Sequence, residues 1–180
     1  MRFSNRLLQY VSVAMSSASI SAASCSAQGI QTIDIRPAMQ ADLPAIVALL
    51  DRCALPTGDL NAPLLAGFCV AEGRTDSGPQ LVGVIGWERL GDGALLRSLA
   101  VAVEQRGAGL AARLVDWSEA AARAQGAATA YLLTTTAADY FLRRGYAEVA
   151  RADVPPSVAG HAQFRSLCPV SARCLARPLA

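Results

Sequence analysis

The sequence contains no lysine: all 16 basic residues are arginine, dispersed from Arg2 to Arg177 among 14 acidic ones. No basic stripe results, which excludes nucleic acid as the main partner. There is one histidine, His161, and the five cysteines, at 25, 53, 69, 168 and 174, include no Cys-x-x-Cys. Neither a zinc ribbon nor a disulfide framework is indicated, no metal is expected, and reduced thiols in the cytoplasm are the default. No run of about 18 apolar residues exists, so no membrane span and no membrane partner are expected. Charged residues are only 17%, yet hydrophobic residues reach 53%, which suits one well-cored domain that buries about 70% of its unfolded surface.

Residues 1–30 are rich in Ser and Ala, and Arg2 and Arg6 precede a mildly apolar stretch broken by Gln9, Ser12 and Ser16. This segment is read as a disordered leader, a signal or an over-long start, and 31–180 as the domain. From Ile33 and Ile35 a strand is expected. Asp42 then caps a helix with Pro44 in its first turn and Ile46, Val47, Leu49, Leu50 and Cys53 on its apolar side. A short helix over 60–66 follows. Strands are predicted over 68–71, 81–88 and 94–101, with turn chemistry between them. Then the period changes: Leu110, Leu114, Trp117 and Ala121 share a helical face, and Gly126 stops that helix. A buried strand over 130–133 comes next, followed by a helix over 137–144 that Thr136 and Asp139 cap and Gly145 ends. Residues 146–150, a helix opening at Pro155-Pro156 and a strand over 170–175 complete a mixed α/β sheet.

The segment 95–111 joins strand to loop to helix, and its loop carries Arg106, Gly107, Ala108, Gly109, Leu110 and Ala111. Small residues there let backbone N–H groups converge at a helix N-terminus, where the dipole favours negative charge. That is a phosphate cradle. It lacks the Gly-Lys-Ser/Thr of a Walker loop and the three-glycine dinucleotide spacing.

Arg106-x-x-Gly109-x-Ala111, after a strand ending Leu99-Ala100-Val101 and before the aromatic segment Tyr140 to Tyr146, resembles the GNAT superfamily of acetyl-coenzyme A dependent N-acetyltransferases. The resemblance covers residues 33–175. It implies a GNAT-like acyl-CoA N-acyltransferase fold whose two central strands splay apart after a bulge, here 94–101 and 130–135. Pyrophosphate would lie on the backbone from Arg106 to Ala111 and pantetheine against Leu99, Ala100 and Val101. An amine would attack the thioester of acetyl-CoA directly, and a backbone N–H would stabilise the oxyanion. Residues 95–101, 132–137 and 163–174 further resemble the second subfamily of arsenic-resistance N-acetyltransferases, which points to small amino-acid-like amines, organoarsenical amino acids among them. A homodimer through edge strands, common in the family, stays open.

The resemblance leaves the acid and base unassigned: the strand over 95–101 has no Glu, and the position of the family's usual Tyr is Phe141. Tyr140 is the adjacent candidate acid. Glu88, at a strand end next to the acetyl site, is the first candidate base, with a solvated carboxylate paired to Arg89 or Arg97 as the bland alternative. His161 is a second candidate base, read more simply as a surface histidine. Arg97 interrupts an apolar strand, so it needs a partner: an anionic substrate, or an internal bridge to Glu88 or Asp92. Ser98 is expected on the opposite side of that strand. Thr134 is a candidate substrate hydroxyl at the splay. Cys168 and Cys174 read as small core hydrophobes rather than ligands of trivalent arsenic, and Trp87 and Trp117 as core. A non-catalytic acyl-CoA or metalloid-binding module is the rival from another class, and acetylation of a protein N-terminus is a third reading.

Overall fold

Alternating apolar positions build seven strands: β1 (Ile33–Pro37), β2 (Phe68–Thr75), β3 (Gly78–Leu90), β4 (Gly93–Val101), β5 (Thr129–Thr134), β6 (Ala147–Glu148) and β7 (Arg173–Pro178). The helices are α1 (Leu43–Arg52), α2 (Leu110–Ala124), α3 (Ala138–Arg143) and α4 (Pro156–Ala159), with a 3-10 turn at Pro63–Gly67 and a π turn at Gln163–Leu167. This computed structural model describes residues 32–75 and 78–179, so the expected leader lies outside the described residues. The strands form one mixed sheet in the order β1-β2-β3-β4-β5-β7-β6.

Two glycines of β3 show how the sheet is covered. Gly83 lies under Leu110 and Leu114 of α2, close enough that a methyl group would collide with them. Gly86, three residues on and so facing the other way, lies under the Phe68 ring. The sheet is thus buried on both faces, and every residue of β4 is buried. Leu95 packs with Leu133, Val154, Val158 and Phe164 in a second cluster under the C-terminal segment.

β4 is the strand on which the site depends. It runs parallel to β5 only from Gly93 to Leu95, which pairs with Tyr131, and beyond that the two strands have no shared register. On its other side β4 stays paired to β3, with Arg97 opposite Gly86 and Ala100 opposite Val84, so two residues of β4 face Ile85 alone. Ser98 takes up the extra residue at φ +56°, left-handed backbone for a residue with a side chain. The strict alternation expected for Ser98 fails for this reason.

The strand and helix limits differ modestly from the expectations. β2 and β3 extend toward each other, the 60–66 helix is the 3-10 turn, and β6 is only two residues long. Asp42 precedes α1 but turns its carboxylate away from it, accepting the Met39 N–H at 2.7 Å and two N–H groups of Arg36. The buried stripe of α2 is Leu110, Leu114, Val115, Ser118, Glu119 and Ala122. Trp117 and Ala121 are only partly buried, because Tyr146 and Arg177 draw the neighbouring Glu119 inward instead.

Candidate active site

Beyond Leu95, β4 carries Leu99, Ala100 and Val101 past the point where β5 leaves it, which keeps the β5-facing edge of this stretch out of the ladder. At its end Arg106 folds back: Nε donates to the Val101 carbonyl at 3.0 Å, and Nη2 lies 3.5 Å from Cys53 Sγ. Gly107 and Gly109 then adopt φ +81° and +79°, with nothing within 4 Å of where a side chain would begin. Backbone conformation, not crowding, selects glycine here. Helix α2 follows with no side-chain cap and no acidic residue in its first turn. The N–H groups of Leu110, Ala111 and Ala112 therefore precede the first helical bond, Arg113 to the Gly109 carbonyl. A 15-residue helix thus presents uncapped donors at the mouth of the fork, as an anionic pyrophosphate requires.

On the face of β4 away from α2, four charged or polar side chains from distant segments meet. Arg97 Nη1 donates to Glu88 Oε1 at 2.9 Å and Nη2 to Asp59 Oδ2 at 2.6 Å. His161 Nε2 lies 3.3 Å from Glu88 Oε2, and its Nδ1 accepts the Gln163 N–H at 3.2 Å. An Nδ1 that accepts leaves the proton of the neutral ring on Nε2, which makes His161 a donor to Glu88. Burial pushes the Glu88 pKa up, but the hydrogen bonds from His161 and Arg97 outweigh it and hold the carboxyl below its ordinary range.

These placements revise several expectations. Arg97 makes an internal bridge to Glu88, but its other partner is Asp59, not Asp92. His161 is no surface histidine: its side chain is 16% exposed and held at both nitrogens. Thr134 anchors the turn before α3. It is fully buried, and its hydroxyl accepts the Ala137 N–H at 2.9 Å. Tyr140 stacks edge-on against Phe141 with centroids 5.0 Å apart, under the Arg144 guanidinium at 6.0 Å. Its hydroxyl is buried. Burial raises its pKa, with the charge and hydrogen bond of Arg144 opposing the rise and Asp116 and Glu119 adding to it. Tyr140 thus sits with Phe141, Arg144, Asp116 and Glu119, whereas Glu88 sits with Arg97 and His161. Burial pushes the Cys168 thiol up to about 12 and that of Cys174 to about 11, which favours the protonated thiol. Among the described residues no group of three His, Cys, Asp or Glu side chains is placed to hold a metal ion.

Asp59 carried no sequence signal, since a lone acid between Gly58 and Leu60 reads as an ordinary loop residue. Cys53, read as an apolar helix position, is buried and sits against Val101 at the end of β4. The bulge at Ser98 had no marker either, because no glycine stands there.

Residues 65–148 match the model of an acetyltransferase (GNAT) domain. No curated protein sequence matches the chain. Among solved structures, N-acetylglutamate synthase from Neisseria gonorrhoeae, complexed with coenzyme A and N-acetyl-glutamate, is similar at TM-score 0.70 and 20% identity over 83% of this chain. This chain spans only 35% of that one. A Mycobacterium tuberculosis protein in complex with CoA and NLQ is similar at TM-score 0.68 and 24% identity, over 82% of this chain and 99% of that one. An acetyltransferase of the GNAT family from Staphylococcus aureus gives TM-score 0.63 at 20% identity, over 83% and 100%. Residues 65–148 thus match a GNAT acetyltransferase domain, and the chain shares the acyl-CoA N-acyltransferase fold of these structures.

Proposed function

We propose that this protein transfers the acetyl group of acetyl-CoA to the amino group of a small amino-acid-like molecule. The observation that carries this is the fork between β4 and β5 opening directly onto an uncapped, glycine-nested helix N-terminus. The residues fit the cofactor: backbone from Arg106 to Ala111 suits its pyrophosphate, and the open edge of Leu99, Ala100 and Val101 suits its pantetheine. Acetyl-CoA would supply an activated thioester. The chain would hold the acceptor nitrogen against it and offer backbone N–H groups where negative charge develops.

Glu88 is the proposed base. It pairs laterally with Leu95, the last β4 residue held to β5, which puts it at the start of the fork. Its low pKa keeps it ionised and ready to accept a proton, directly or through water. Tyr140 is the proposed proton donor to the leaving thiolate, on the strength of its buried hydroxyl beside Arg144. Two of the neighbouring structures hold acylated or free amino acids or related small molecules beside CoA, which supports a small acceptor. A cytoplasmic setting belongs to the same reading, since the four described cysteines are all free thiols.

The test follows thiol release from acetyl-CoA across a panel of amines that includes glutamate-like phosphinic and arsinic amino acids. Release that depends on one class of amine is the expected result. An arsinic acceptor among the best would extend the reading to arsenic resistance. Tight cofactor binding with no release for any amine would instead establish a non-catalytic acyl-CoA module.

A further inference from the structure

Cys53 is a buried thiol that the acetyl-transfer reading leaves without a role, and it stands where α1 meets the loop before α2. Its sulfur has two polar neighbours from distant segments, Arg106 Nη2 at 3.5 Å and the Val101 carbonyl at 3.8 Å. Arg106 Nε reaches that same carbonyl at 3.0 Å. The three groups close a triangle in which the thiol S–H donates to Val101 and the sulfur lone pairs accept from the guanidinium. An aliphatic side chain at this position would fill the space and serve neither contact.

The thiol is fixed independently of Arg106. Cys53 ends α1, whose Ile46, Leu49 and Leu50 are buried, and its N–H bonds to the Leu49 and Leu50 carbonyls at 3.1 and 3.0 Å. Ala54 then takes left-handed backbone at φ +55°, and Leu55, buried, returns its N–H to the Leu50 carbonyl at 2.9 Å. The helix is thereby closed as a glycine would close it. Arg106 belongs to the other partner, the loop. Positive φ begins at the next residue, Gly107, and α2 beyond it has no side-chain cap. The contact between Cys53 and Arg106 therefore ties the first residue of a glycine loop to a packed helix end 53 positions away.

Resting on the cofactor placement above, we propose that Cys53 is a positioning residue for CoA: acting through Arg106, its sulfur holds the loop against the end of β4. The N–H groups that follow then meet the pyrophosphate already in place, and less ordering is left to occur on binding.

Calorimetry with CoA itself tests this without knowledge of the acceptor. Cys53→Val, which keeps the bulk and loses the polar sulfur, should raise the Kd for CoA about fivefold or more, and Cys53→Ser should stay within about twofold of wild type. Arg106→Met should weaken binding at least as much as Cys53→Val. In the Arg106→Met background Cys53→Val should then change the Kd by less than about twofold, because the contact it would break is already gone. A Cys53→Val affinity equal to wild type overturns the proposal, as does a Cys53→Ser loss as large as that of Cys53→Val. An effect of Cys53→Val that survives in full beside Arg106→Met overturns it too, since it would show packing alone. Where Cys53→Val does not fold, Cys53→Ala is read in the same cycle. Failure of the wild-type protein to bind CoA would instead refute the underlying cofactor reading.

Discussion

Glu88 and His161, 73 positions apart, are joined through Oε2 and Nε2 at 3.3 Å, with the imidazole as donor. Glu88 on β3 is thereby coupled to the segment after α4, and its second oxygen is fixed by Arg97. Both partners stabilise the ionised carboxylate, which sets the direction of its pH behaviour.

If Glu88 is the base, the acid limb of kcat/KM lies below the ordinary carboxylate range, since the folded pKa is lowered. Glu88→Gln should abolish that limb and reduce kcat by about 10²-fold. The same lowering contributes stability above the unfolded carboxyl pKa, and this is lost as pH falls through the folded value. Denaturation of wild type and Glu88→Gln at a series of acidic pH values should show their stability difference closing there. A limb that persists in Glu88→Gln refutes the assignment.

Arg97→Ala leaves two carboxylates facing each other without their cation, in a cluster whose floor is buried. Loss of one partner from such a cluster should cost about 2–4 kcal/mol. Urea unfolding measures it as a lower midpoint at unchanged slope. Arg97→Lys, a point charge without the two-pronged fork, should recover only part of the loss.

Gly109 precedes α2 at φ +79° in open space, so Gly109→Ala adds backbone strain of about 1–2 kcal/mol and no collision. The loop should relax away from its nest, which raises the Kd for CoA. Affinity for the acceptor, measured at saturating cofactor, should hardly change. A CoA affinity equal to wild type would remove this loop from the cofactor site.

Two tyrosines separate activity from stability. The Tyr146 hydroxyl donates to Glu119 at 2.7 Å, and Arg177 closes the same buried carboxylate at 3.1 Å. Tyr146→Phe should cost about 1–3 kcal/mol and leave kcat near wild type. Tyr140→Phe removes a hydroxyl that Arg144 engages more weakly than Glu119 engages Tyr146, so stability should change less than in Tyr146→Phe. As the proton donor its loss should lower kcat about 10²-fold, and full activity in that variant would exclude the role.

The mixed sheet, the three-strand meander, the amphipathic α2 and the glycine loop before it were legible in the sequence, because each rests on local periodicity or local turn chemistry. Arg97 also announced itself, as a charge in an apolar strand that needed a partner. The partner's identity did not follow, since Asp59, Glu88 and His161 are brought to Arg97 by a loop, a neighbouring strand and the segment after α4. The resemblance implied a bulge and a splay between these two strands, but their positions at Ser98 and beyond Leu95 were hidden, for strand register is set by pairing across the sheet, not along the chain. The sequence alone thus determined the elements and the glycine loop before α2. Tertiary structure decided which charges meet at the fork, because contacts between segments tens of residues apart exist only once the sheet has closed its register.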